Sequence, residues 1–258
     1  MIPKIVHYTW FSHEPMPPLV VNCIESWKRI LPEYELHKWD MEAIKDIDVP
    51  FLKESLKARK WAYASDFVRA YAIYHFGGVY LDTDVMLYHS LDNYLNNSSF
   101  IGKENSIHFE GRMASQYLSS HCFGAEKGHP FIKDCLEYYM ERHFEISQNE
   151  LFPDTLKYNI VLMPFVQSEI ARSYGYNPNP YVQDIQLCKD GLTIYPSDVF
   201  DPEATSSRSV CKHFALGSWR EKKSPEPDYS LKYKIEWRVI AFLQKIVSPF
   251  HYKIIKIQ

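Results

Sequence analysis

Two runs decide how this 258-residue chain is read: Ala64-Ser65-Asp66-Phe67-Val68-Arg69 and, further on, Gly77-Gly78-Val79-Tyr80-Leu81-Asp82-Thr83-Asp84. From Lys60 to Phe76 the residues Ala64, Phe67, Val68, Tyr71 and His75 recur at i, i+3, i+4, i+7 spacing, which predicts a helix. Gly77 or Gly78 supplies the left-handed residue that ends helices. Val79-Tyr80-Leu81 is β-branched, aromatic and apolar, and suits a short buried strand. Asp82 and Asp84 then stand at that strand's carboxyl end, where open α/β sheets bind ligands. Two carboxylates one residue apart repel each other unless a cation shares them, so the pair suits Mg²⁺ or Mn²⁺. Asp66 and Arg69 lie i, i+3 on the face opposite Phe67 and Tyr71, among the small residues Ala62 and Ala70. Charges on a helix this apolar need partners. Each piece also has a plainer reading. Asp66 and Arg69 can pair with each other on a helix surface, and strand-end aspartates often cap the next turn. Helix, Gly-Gly stop, strand and paired carboxylates in succession favour the metal site.

The run from Ala62 to Val85 resembles the DXD-containing glycosyltransferases of the capsular-polysaccharide and fungal mannosyltransferase type, glycosyltransferase family 32. Ile2-Pro3-Lys4-Ile5-Val6-His7-Tyr8-Thr9-Trp10-Phe11 looks like that family's opening strand. So does Cys23-Ile24-Glu25-Ser26-Trp27-Lys28, followed by Leu31-Pro32-Glu33-Tyr34-Glu35 and Trp39. A third match is His213-Phe214-Ala215-Leu216-Gly217-Ser218-Trp219. The glucosyltransferase domains of large clostridial toxins are similar at the same places. The resemblance is dense over residues 1–96, thin through the middle, and returns at 194–219.

The resemblance implies a GT-A type fold, a Rossmann-like mixed sheet flanked by helices, and a retaining glycosyltransferase that takes a hexose from a nucleoside-diphosphate sugar. UDP-galactose or UDP-glucose is the favoured donor and GDP-mannose the runner-up. The acceptor is expected to be a saccharide, free or lipid-linked, in surface or capsular polysaccharide. By the same resemblance Asp84 binds the metal, and Asp82 contacts both ribose and metal. His213 is a third ligand, with a phosphate or structural role as the alternative. Ser218 and Trp219 grip the diphosphate through a hydroxyl and an indole N–H. Trp10 stacks on the base, Ser65 contacts the nucleotide, Tyr80 lines the donor, and Asp66 and Arg69 hold hydroxyls of the donor sugar. No covalent nucleophile is nominated, and His7 is read as structural.

Composition agrees with a globular enzyme. Hydrophobic residues make up 46% and charged residues 24% of the chain, with ample length for a core. The net charge of −3 argues against a nucleic-acid binder. Five cysteines in no close pairs, Cys23, Cys122, Cys135, Cys188 and Cys211, read as free thiols in a reducing compartment. No signal peptide and no apolar run of membrane-spanning length is visible. The expected location is cytoplasmic, either free or peripheral on the inner face of the cell membrane.

Along the chain, Lys4–Trp10 and Tyr34–Trp39 read as strands and Leu19–Ile30 as a helix, giving β-α-β-α-β over the first hundred residues and a largely parallel sheet. Phe100-Ile101-Gly102 is another strand. Residues 103–121 read as a long polar irregular loop, and 146–163 are ambiguous. Helices are expected over Pro130–His143 and Pro164–Tyr174, with short strands at Gly191–Tyr195 and Val210–Phe214. The tail carries six basic residues against Glu236 alone, interleaved with Trp237, Ile240, Phe242, Leu243 and Ile246. This divides the chain into a transferase domain, 1–228, and a basic amphipathic helical segment, 229–258, suited either to an anionic membrane surface or to packing on the domain.

Two rival readings share the motif. Haloacid-dehalogenase phosphatases also place D-x-D after an apolar strand, but a Thr or Val follows two residues after the second Asp, where this chain has Met86. A binding protein that kept the fold and lost turnover is harder to square with the intact Asp66, Arg69, Asp82, Asp84 and His213.

Overall fold

A computed structural model describes residues 1–110, 113–149 and 152–216 of the chain. Ser218, Trp219 and the 229–258 segment lie outside the described residues. The strands are β1 (Ile5–Thr9), β2 (Glu35–Trp39), β3 (Gly78–Leu81), β4 (Val85–Leu87), β5 (Ser99–Glu110), β6 (Met113–Ala125), β7 (Gln186–Leu187), β8 (Leu192–Tyr195) and β9 (Cys211–His213). The helices are α1 (Pro18–Ile30), α2 (Pro50–Lys57), α3 (Trp61–Phe76), α4 (Pro130–Met140), α5 (Asp154–Lys157), α6 (Met163–Ser173) and α7 (Ser197–Phe200). Among the described residues, no helix is long and apolar enough to cross a membrane.

Seven strands form one mixed sheet in the order β2-β1-β3-β6-β5-β8-β7. β1 is parallel to both β2 and β3, and β5 is parallel to β8, while β6 runs antiparallel to β3 and β5. The α/β expectation, a mixed sheet flanked by helices, holds. The chain goes from β1 to one side of the sheet and returns to the other, so the strand order reverses at β1. Crevices at the carboxyl ends of the strands beside such a reversal are the usual ligand sites of open α/β sheets.

Alternation along the strands gives the sheet two apolar faces. Val79, Leu81, Phe100 and Cys122 pack with Val20, Ile24 and Trp27 of α1. Tyr80, Ile101 and Phe123 point the other way, to α3 and α4. α1 shows why its sequence is helical: Pro18 opens it, Lys28 and Arg29 complement the dipole of its last turn, and Val20, Cys23, Ile24 and Trp27 form one buried stripe. α3 is different. Tyr63 through Ala70, then Ala72 and Ile73, are all buried, so its polar residues are enclosed rather than turned to water. Gly77 and Gly78 end it with φ of 70° and 102°. A Cβ on Gly78 would sit 2.7 Å from the Ile5 carbonyl oxygen, so only glycine lets β3 lie this close to β1.

Three expectations need correction or completion. Residues 103–110 and 113–121 are not an irregular loop but lie in the long antiparallel strands β5 and β6. Their inward positions include Lys103, Ser115, Gln116 and Ser119, which hides the two-residue hydrophobic period. Register shifts at Ile101/Gly102 and Lys103/Ile107 break the period further. Lys103 is fully buried, its Nζ donating to the carbonyls of Asn179 (3.1 Å) and Val182 (2.6 Å), and burial pushes its pKa down to about 8. The ambiguous stretch contains α5 and a bridge between Glu145 and Tyr158. β4, unexpected from sequence, follows the acidic pair at once and pairs antiparallel with β9.

The five cysteines are free. His7 is structural, as read: wholly buried, it donates from Nε2 to the Gly77 carbonyl (2.9 Å) and accepts at Nδ1 from the Trp39 indole (3.1 Å).

Candidate active site

β3 places Tyr80 and Asp82 on the same side of the sheet, the α3 side. The Tyr80 hydroxyl donates to Asp82 Oδ1 at 3.0 Å and lies 3.1 Å from the Thr9 hydroxyl at the end of β1. Thr9 in turn meets Ser65 Oγ of α3 at 2.7 Å. The ends of two parallel strands and the first turns of α3 are thus tied by one hydroxyl chain.

Beneath Asp82 lies a buried ion cluster. The Arg69 guanidinium sits 4.6 Å from the centre of the Tyr80 ring. Its Nη2 is 3.2 Å from a carboxylate oxygen of Asp66 and 3.2 Å from one of Asp82. Its Nε donates to the Ser65 carbonyl (3.3 Å), and its Nη1 to the Ser120 carbonyl (2.9 Å) and hydroxyl (3.2 Å). Every guanidinium nitrogen is used, which is what a desolvated arginine requires. Asp66 and Arg69 do pair with each other, but in the interior and not on a helix surface. One guanidinium serves two carboxylates. Burial therefore pushes the pKa of Asp66 up to about 7, against the pull of Arg69 and with the added repulsion of Asp82. Asp66 Oδ2 also accepts from the Met163 N–H at the start of α6 (3.3 Å).

Asp84 turns elsewhere. Register on the small sheet sets Val85 opposite His213, and His213 Nε2 lies 3.2 Å from Asp84 Oδ1. The other carboxylate oxygen accepts from the Leu216 N–H at 2.8 Å, and the Asp84 carbonyl from the Phe214 N–H at 3.0 Å. Burial disfavours charge on Asp84, yet the His213 contact and the Leu216 N–H hold its carboxyl below the usual range. Burial likewise disfavours charge on His213, but Asp84 and Asp82 raise its pKa above the ordinary histidine value.

Asp82, Asp84 and His213 each offer one ligand atom, and these atoms lie within 4.8 Å of one another. Two carboxylates and an imidazole at that spacing fit a divalent cation, Mn²⁺ more readily than Mg²⁺ because of the nitrogen. Residues 131 positions apart in sequence are therefore brought to one point by the β4–β9 pairing. Of the other expected residues, Ser65 and Tyr80 belong to the hydroxyl chain. Trp10 directly follows β1, packs against the α1-side core, and donates from its indole to the Glu14 carbonyl at 3.2 Å.

Sequence reasoning missed several contributors. Trp27 of α1 donates its indole N–H to the Val85 carbonyl (2.7 Å), and Ser26 Oγ accepts from the Leu87 N–H (3.0 Å), so α1 pins the strand after the acidic pair. Ser26 and Trp27 stand in the quoted Cys23–Lys28 run, which was the available clue. Ser120 and His121 carry no such signal, because the polar run 103–121 shows no hydrophobic strand period. Thr9 and the Met163 N–H are legible only in three dimensions.

Residues 17–101 match the family profile described as "glycosyltransferase sugar-binding region containing DXD motif". Over that stretch the chain is similar to the DXD-containing glycosyltransferases. Among curated proteins it is similar to inositol phosphoceramide mannosyltransferase 3 of Schizosaccharomyces pombe, 30% identical over 135 residues, covering 51% of this chain and 35% of that protein. An uncharacterized Arabidopsis thaliana protein is 38% identical over 188 residues, covering 71% of this chain and 24% of that protein. The chain thus spans about a third and a quarter of the lengths of these relatives. A solved structure entitled PaToxG glycosyltransferase aligns with a TM-score of 0.45 at 16% identity, over 67% of this chain and 69% of that one.

Proposed function

We propose that the chain is a metal-dependent retaining glycosyltransferase that moves a hexose from a nucleoside-diphosphate sugar to a saccharide acceptor in surface or capsular polysaccharide synthesis, with UDP-galactose or UDP-glucose as donor. The observation that carries the reading is the convergence of Asp82, Asp84 and His213 at the carboxyl end of β3, directly above the buried Asp66–Arg69 pair.

Asp82, Asp84 and His213 would hold Mn²⁺ or Mg²⁺. Held there by these three residues, a divalent cation would supply the positive charge that stabilises a departing diphosphate. Arg69 and the Tyr80 hydroxyl fix the rotamer of Asp82 before substrate arrives, so little reorganisation is left for the reaction itself. Burial raises the pKa of Asp66 to about 7, so its carboxyl would be able to give a hydrogen bond to a sugar hydroxyl or to accept one from it. Trp10 would stack on the base beside Ser65, with Tyr80 lining the donor, and Ser218 and Trp219 would donate to the diphosphate. The acceptor oxygen replaces the diphosphate on the anomeric carbon with retained configuration, as the family resemblance implies.

A GDP-mannose donor is the second reading, favoured by the similarity to a fungal inositol phosphoceramide mannosyltransferase. The test is release of nucleoside diphosphate from UDP-hexoses and GDP-mannose with Mn²⁺. Turnover lost on adding EDTA supports the transferase. Turnover unaffected by EDTA, or phosphate release from simple monoesters, would sink it.

A further inference from the structure

Behind the three candidate ligands stands a residue that touches two of them. His121 lies on β6, fully enclosed, and its imidazole stacks on that of His213 with centroids 4.3 Å apart and planes 26° from parallel. Its backbone carbonyl accepts the Asp82 N–H at 2.9 Å. One residue therefore meets the metal centre on both sides, through its ring at His213 and through its main chain at Asp82.

His121 is itself held rigidly. Its Nε2 donates to the Phe200 carbonyl at 2.9 Å, and the Ser119 hydroxyl lies 3.0 Å from its Nδ1. Phe200 ends α7, and the next residue, Asp201, has a carboxylate within 4.8 Å of ligand atoms of both His121 and His213. Asp201 accepts the Asn105 N–H at 2.8 Å, which ties it to β5. These three residues also form a histidine–carboxylate–histidine group of metal-ligand spacing. Both ring nitrogens of His121 already have protein partners, however, so it is placed to orient a ligand and not to be one.

We propose that His121 is the positioning residue of the candidate metal centre: its ring plane sets the orientation of His213, and its carbonyl sets the backbone that presents Asp82. The inference rests on the metal reading of Asp82, Asp84 and His213. His213 stands on a three-residue strand, partly open to solvent, and its ring is bounded by Asp84 at Nε2 and by the stacked His121 ring on its face. Outer partners of this kind change metal affinity without touching the ion.

The test titrates Mn²⁺ alone into the full chain and reads free Mn²⁺ by electron paramagnetic resonance, comparing wild type with His121→Phe and His121→Leu. Both substitutions fill the buried site with apolar volume and keep the main-chain carbonyl, but only phenylalanine keeps a flat ring against His213. The expected result is a Leu variant weakened about 10- to 100-fold, with the Phe variant within about threefold of wild type. Equal affinities for Phe and Leu would overturn the assignment, since a space-filling role is served by either. Wild type that binds no Mn²⁺ would instead remove the metal reading beneath it. Near-ultraviolet circular dichroism of each variant confirms that the compared proteins are folded.

Discussion

Asp84 and Asp82 occupy equivalent places in a motif and lie close together, but they meet very different partners. Asp82 is tied to the arginine and tyrosine of the interior, whereas Asp84 faces His213 and a main-chain N–H. Asp84→Asn keeps the Leu216 contact in shape but removes the charge a cation needs. Turnover is expected to fall by several kcal/mol of barrier, about 100-fold or more, with little change in unfolding midpoint. Steady-state rates beside a urea melt measure both, and near-wild-type turnover would remove Asp84 from the metal site. His7 gives a pH prediction away from that site. Burial lowers its pKa from 6.5 to about 4, with the Gly77 carbonyl opposing the shift and the neighbouring His37 adding to it. Its folded value lies below its unfolded one, so the unfolded state binds the proton first as pH falls. The stability it contributes is complete above pH 6.5 and is lost as pH drops through 4, up to about 3 kcal/mol. His7→Gln, which cannot protonate, should flatten the decline of urea stability between pH 6.5 and 4 relative to wild type. Parallel slopes for the two proteins would contradict this.

At the scale of elements, the α3–β3 junction does the placing. It requires two successive positive-φ glycines, and Gly78 also lies where a side chain would strike the Ile5 carbonyl. Gly128 offers the control: its φ is +76°, but nothing lies within 4 Å of a Cβ built there. Gly128→Ala should cost about 1 kcal/mol from the left-handed backbone alone, and Gly78→Ala about 3 kcal/mol or more, because strain and a main-chain clash add. Denaturant midpoints settle the order, and equal costs would mean that β1 and β3 can separate without penalty. The β5–β6 pair teaches a different lesson. A strand pair whose buried positions carry Lys103 on β5 and Ser115, Gln116 and Ser119 on β6 has no hydrophobic alternation to read, yet β6 supplies Ser120 to Arg69 and His121 to both arms of the candidate metal site.

For the molecule as a whole, a nucleotide sugar that binds the folded form must raise its melting temperature by mass action. With Mn²⁺ present, UDP-galactose or UDP-glucose should give the larger shift, and EDTA should abolish it. A larger shift with GDP-mannose would transfer the proposal to the mannosyl reading, and no shift with any nucleotide sugar would count against a donor site altogether. Where a base, a diphosphate and a hexose would lie is divided among β1, α3, the β3 end and β9, so the shift reports on their assembly and not on any single residue.

The sequence alone determined the local pieces. Periodicity and the Gly-Gly stop marked α3 and β3, and the spacing of Asp66, Arg69, Asp82 and Asp84 marked the chemistry, because helix faces and strand ends follow from nearest-neighbour geometry. His213 entered only through resemblance to a family, since no local rule links it to Asp82 and Asp84, well over a hundred positions away in sequence. Tertiary structure decided that link, through a three-residue antiparallel pairing that brings His213 to Asp84. It also decided that Asp66 and Arg69 are interior rather than surface charges, and that His121 stands behind the site. Contacts between distant segments depend on sheet order and register, which the packing of the whole chain fixes and no short stretch of it encodes.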